Sequence, residues 1–230
     1  MKLWYRFIPP QVTARDENTK TKSNIVFVHG TGSNSRMWKQ QVSYFSQLGY
    51  PCTLIDLRGH GQSHEPYEKT DLEVHRQDVL VTLQNSNAIF PAYFVGHSLG
   101  AIVSLAIAEK HPEMVKAIFA ACMPGKLIRP AQKVLELFLS GPKEAIKGST
   151  IKSLLPWREQ TLVDMPLFTM KEIANFFASS DLLNRIPEIN CPIHIAGARF
   201  DPLALHSHTK KCKSNFLILL LQRLNGQDIM

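Results

Sequence analysis

The chain has 230 residues, 44% hydrophobic and 20% charged, which is enough for one well-buried core and too little for two full domains. Its 26 Lys and Arg exceed its 19 Asp and Glu, for a formal charge of +7, yet only Lys210, Lys211 and Lys213 cluster tightly. That scatter fits a solvated basic surface and argues against the dense stripe of a nucleic-acid binder.

The cysteines Cys52, Cys122, Cys191 and Cys212 show no C-x-x-C spacing, and the first three sit in or beside apolar runs. Buried, reduced thiols and a cytoplasmic location are therefore expected. The apolar stretch 3–8 is broken by Arg6 and stopped by Pro9 and Pro10, short of the roughly 7–15 apolar residues of a secretory leader. The run "FLILLL", residues 216–221, falls far below the roughly 18 residues needed to cross a bilayer, so no membrane span is expected.

In chain order, short β-branched or apolar runs occur at 25–28, 52–57, 93–95, 115–120 and 193–196, and helix-compatible segments at 35–48, 72–84 and 99–110. Such alternation predicts an α/β fold with a mostly parallel, doubly wound sheet covered by helices on both faces. Between residues 125 and 187 the pattern changes: apolar residues recur at helical spacing while prolines at 130, 142, 156, 166 and 187 divide the stretch. We read a single domain, 1–230, that carries a helical insertion over 125–187.

Four motifs carry chemistry. "GHSLG", residues 96–100, fits G-x-S-x-G between an apolar strand and an apolar helix, the context that lifts a serine oxygen clear of a sheet. Ser98 is thus a candidate nucleophile, against the alternative of a helix-capping serine in a packing turn. "IVFVHGTGSNSRMW", residues 25–38, runs a strand into His-Gly and small residues. This exposed backbone suits an oxyanion site, with the N–H groups of Thr31 and Leu99 as donors. "TLIDLRGHGQS", residues 53–63, delivers Asp56, Arg58 and His60 into a tight loop, where they are expected to satisfy one another structurally. In "IHIAGARFDPL", residues 193–203, Asp201 follows a strand and precedes a proline, which suits an orienting carboxylate, a helix N-cap or both.

In this order and spacing His29-Gly30, "DLRGHGQS", "GHSLG" and "GARFDPL" resemble the α/β-hydrolase fold, in particular its capped serine esterases, lipases, lactonases and C–C bond hydrolases. The resemblance covers residues 25 to about 203, the insertion corresponding to a helical cap. It implies Ser98 as nucleophile, Asp201 as triad acid, Thr31 and Leu99 as oxyanion donors, and a small ester or acyl substrate with an apolar portion. It also implies a Gly-His pair after the last strand.

The chain departs from the family there. Beyond Asp201 the only histidines are His206 and His208, and Gly226-Gln227 stands where Gly-His is expected. A glutamine amide accepts no proton near neutral pH. Three readings stay open: a substituted pair, a C-terminus of unrelated sequence with the final strand and helix incomplete or diverged, or a replacement base among His206, His208 and His97. An active serine hydrolase and a catalytically impaired member that binds a small ligand or protein partner are accordingly both expected outcomes. Phe138, Trp157, Met165, Phe168, Phe176 and Phe177 either line an apolar pocket or join short helices. His206 and His208 form an H-x-H with no further ligand at metal spacing, so neither a metal nor, in the absence of a dinucleotide fingerprint, a nucleotide cofactor is expected.

Overall fold

A computed structural model describes residues 1–11, 22–63, 70–123, 149–154, 172–173, 175, 188–198 and 216–221. Seven strands among them form one sheet: β1 (Tyr5–Ile8), β2 (Ile25–Val28), β3 (Cys52–Ile55), β4 (Ala92–His97), β5 (Val115–Ala121), β6 (Ile193–Ala198) and β7 (Phe216–Leu221). Their order is β1-β3-β2-β4-β5-β6-β7. β1 runs antiparallel to β3, and all other pairs are parallel.

The interior strand β2 shows why the runs had to be apolar throughout. All four of its residues are buried, because helices cover both faces and leave no polar side. Val26 and Val28 pack on one face with Val79, Leu80 and Leu83 of α2 (Leu72–Gln84) and with α3 (Leu99–Lys110). Ile25 and Phe27 alternate to the other face, against Trp38 and Val42 of α1 (Lys39–Gln47) and its approach, as the two-residue strand period requires. Every residue of α3 from 99 to 108 is buried, which explains its lack of a polar side: it lies between the sheet and α2.

The segments 72–84 and 99–110 form helices with the expected bounds. The segment 35–48 is divided into a 3-10 turn, Ser35–Trp38, and α1, because the Asn34 side chain accepts the Arg36 N–H at 2.9 Å and starts a tight first turn. β1 was not foreseen. Its four residues have too little apolar pattern to stand out, and only registration from Tyr5 opposite Ile55 to Ile8 opposite Cys52 makes them a strand. The stretch 216–221 is β7, registered with β6 from Ile193–Phe216 to Ala198–Leu221.

Of the insertion, a short helix α4 (Thr150–Leu154) is described, with Ile151 and Leu154 exposed, and Ile173, only 2% exposed, packs into the main core. The rest of the expected insertion, including the six candidate pocket residues, lies outside the described residues. Parallel pairing has one consequence for function. The C-terminal ends of β2, β3, β4, β5, β6 and β7 all lie at one rim of the sheet, where ligands of such sheets bind.

Candidate active site

Ser98 joins β4 to α3 with φ 50° and ψ −115°, a left-handed backbone that an L-residue adopts at a cost of about 1–3 kcal/mol. Surrounding contacts hold it there. Its N–H donates to the Ala121 carbonyl of β5 at 2.9 Å, and its carbonyl accepts the Ala101 and Ile102 N–H groups at 3.0 and 3.3 Å. The side chain makes no capping bond and is half-buried. A helix-capping role would have spent the hydroxyl on α3; the geometry leaves it unspent.

Close approach then dictates the neighbouring glycines. A Cβ at Gly100 would stand 2.5 Å from the His29 carbonyl oxygen and closer still to that of Val28, so α3 lies on the end of β2 only because position 100 has no side chain. A Cβ at Gly30 would stand 2.6 Å from His97 Nδ1 and 3.1 Å from Ser98 Cβ. The loop after β2 therefore runs directly over the serine turn, and His97 is packed toward that loop.

His29 pins this loop from beneath. Completely buried, it accepts the Leu57 N–H on Nε2 at 2.9 Å and meets the Gly30 carbonyl through Nδ1 at 2.8 Å. Those partners assign the proton to Nδ1. Burial pushes its pKa from 6.5 to about 4, against the Gly30 hydrogen bond and with help from His97 and His75, so the ring is neutral at pH 7. The Gly30 carbonyl also accepts the Ser33 N–H at 3.2 Å, closing a turn in which Gly32 has φ 71°. Among the described residues no backbone acceptor meets the N–H of Thr31 or Leu99.

The third motif is structural, with partners other than those expected. Asp56 accepts the Ser35 N–H at 2.7 Å on one oxygen and the Gln62 N–H at 2.9 Å on the other, tying β3 to the start of the 3-10 turn. Arg58 forms a two-point pair with Asp78 of α2, at 2.6 and 2.9 Å, which corrects the expectation that Asp56 would satisfy it. His60 is held locally, Nδ1 to the Arg58 carbonyl at 2.8 Å. Asp78 sits some twenty residues downstream on a helix, and no local spacing signals the pair.

Asp201, His206 and His208 lie outside the described residues. The strands on either side of them are described: β6 is parallel to β5, with the Cys122 N–H donating to the Ala196 carbonyl at 2.7 Å, and β7 is parallel to β6. The C-terminal ends of β6 and β7 thus lie at the rim that carries Ser98. Cys52 is an unsuitable rival nucleophile, being buried in the sheet with its thiol pushed up to about 12 by desolvation. No described helix is long and apolar enough to cross a membrane.

Known proteins share this fold. A hydrolase from Pseudomonas aeruginosa PA01 superposes with a TM-score of 0.74 at 20% identity, over 94% of this chain and 84% of its own. An enol-lactonase from Burkholderia xenovorans LB400 does so with a TM-score of 0.74 at 19% identity, over 95% and 87%. In sequence, "Probable lysophospholipase BODYGUARD 2" of Arabidopsis thaliana is 30% identical over 128 residues, 52% of this chain and 27% of its own length. "Bifunctional epoxide hydrolase 2" of Sus scrofa is 26% identical over 140 residues, 60% and 25%. The chain spans about a quarter of the length of these curated relatives. The alpha/beta hydrolase fold profile matches residues 24–158, more than half of the sequence, and the protein belongs to that family.

Proposed function

We propose that the protein is a serine hydrolase acting on a carboxylic ester or related acyl bond. Ser98 Oγ attacks the substrate carbonyl carbon and gives up its proton to a base. The carbonyl oxygen takes the negative charge, held by the N–H groups of Thr31 and Leu99. The C–O bond to the leaving alcohol then breaks, the alcohol departs with a proton, and water hydrolyses the acyl-enzyme to free acid and Ser98. Asp201 orients the base, and an apolar part of the substrate lies under the insertion 125–187, which acts as a cap on a single domain. The observation that carries this reading is the serine turn: Ser98 is kept in a strained backbone without using its hydroxyl as a cap, as strain at a functional position would have it.

A second reading has its own support. Gln227 stands where the resemblance places the family's histidine, and substitution of a triad histidine costs on the order of 10⁶ in kcat. The same fold would then serve as a binder of a small ligand or protein partner. Free thiols at Cys52 and Cys191 support a reducing, cytoplasmic setting for either.

The two readings are separated by incubating the protein with a fluorophosphonate probe and, separately, a short-chain chromogenic ester. The hydrolase forms an adduct at Ser98 and turns over the ester, and both signals vanish in Ser98→Ala. A folded wild-type protein that gives neither signal refutes the hydrolase and leaves the binder.

A further inference from the structure

Buried polar groups are nearly always paired, so an unpaired one calls for a reason. Thr31 Oγ1 is closed to solvent and has no hydrogen-bond partner among the described residues. A hydroxyl is easily satisfied, since it can donate, accept and rotate, and the loop around it is otherwise well satisfied. The Gly30 carbonyl receives Ser33 N–H and His29, and Asp56 receives Ser35 N–H. Trp38 Nε1, Gln41 Oε1 and His75 Nδ1 are likewise buried without a partner among the described residues. They belong to the 3-10 turn, α1 and α2, whereas Thr31 directly follows Gly30, where a Cβ would stand 3.1 Å from Ser98 Cβ.

We infer that the Thr31 hydroxyl is a third donor to the oxyanion, acting beside the N–H groups of Thr31 and Leu99; this rests on the hydrolase reading above. In the resting protein the O–H has no acceptor among the described residues. When Ser98 Oγ bonds to the substrate carbonyl carbon, the carbonyl oxygen becomes an anion beside the loop, and one rotamer step about χ1 brings the hydroxyl to it. The proton stays on threonine; only a hydrogen bond forms. Because that bond exists chiefly in the transition state, its loss lowers kcat and leaves KM nearly unchanged. The unpaired state at rest is then the stability cost of a donor prepared for charge that appears only during reaction.

The test compares the full-length wild type with Thr31→Val, which keeps the shape and removes the hydroxyl, and with Thr31→Ser, which keeps the hydroxyl. Fluorophosphonate labelling at Ser98, located by peptide mass spectrometry, is followed together with ester turnover and thermal melting. Thr31→Val should label and turn over on the order of 10²-fold more slowly, with KM within about twofold and a melting temperature at or above wild type, and Thr31→Ser should recover most of the rate. Labelling of Thr31→Val at the wild-type rate overturns the inference, and so does a lowered melting temperature, which would give the hydroxyl a structural partner. Failure of the wild type itself to form a Ser98 adduct overturns instead the hydrolase reading, and this inference with it.

Discussion

Acid should loosen this fold well before its carboxylates are protonated. His29 and His75 are fully buried, and desolvation takes them from 6.5 to about 4 and about 3. His29 faces His97 and His75, which lower it further. His75 faces His60 and Arg58, which lower it, and Asp78 and Asp71, which raise it, and its Nε2 is bonded to Thr70 Oγ1 at 2.9 Å. Both rings are neutral in the folded protein, while the unfolded chain takes up protons below pH 6.5. The unfolded state therefore binds more protons as pH falls, and stability drops from about pH 6.5 down to the folded values.

Between pH 7.5 and 5.0 each ring gives up about 1.5 units of the difference, or ~2 kcal/mol, so the pair loses about 4 kcal/mol. That is a large share of a typical domain's 5–15 kcal/mol. Glu73, held down mainly by its Arg76 hydrogen bond, loses its contribution only below its ordinary value and leaves this window untouched. Urea unfolding followed by tryptophan fluorescence at the two pH values measures the loss. In His75→Gln, which keeps a polar group toward Thr70 and cannot titrate, the difference should shrink to about 2 kcal/mol. If His75→Gln and wild type lose the same stability over this range, the reasoning fails.

Two further outcomes test the serine turn. Ser98→Gly should abolish fluorophosphonate labelling yet raise stability by about 1 kcal/mol, since glycine tolerates the φ of 50°; an unchanged or lower urea midpoint would contradict the strain. Gly100→Ala places a Cβ against the Val28 and His29 carbonyl oxygens, backbone atoms that move only if α3 leaves β2. It should cost about 3 kcal/mol or more, read by the same urea titration, and an unaltered midpoint would contradict the close packing.

The serine turn was legible because its signals are local. Glycines at 96 and 100, an apolar strand before and an apolar helix after lie within one short stretch, and α2 and α3 have the expected bounds for the same reason. Partner choice was less legible. Asp56 meets Gln62 within its own motif, but Asp56 and Arg58 also reach Ser35 and Asp78, groups brought near by folding rather than by spacing.

By itself the sequence determined the α/β class, the motif order and the position of Ser98 at a strand-to-helix bend, since each depends on periodicity and glycine placement within a few residues. Only the tertiary structure decided that β1 pairs antiparallel with β3, that β7 joins β6, that His29 is buried and neutral, and that the Thr31 hydroxyl is enclosed without a partner among the described residues. Those features are contacts between segments distant in the chain, and burial and pairing at that range arise from packing, which no local pattern encodes.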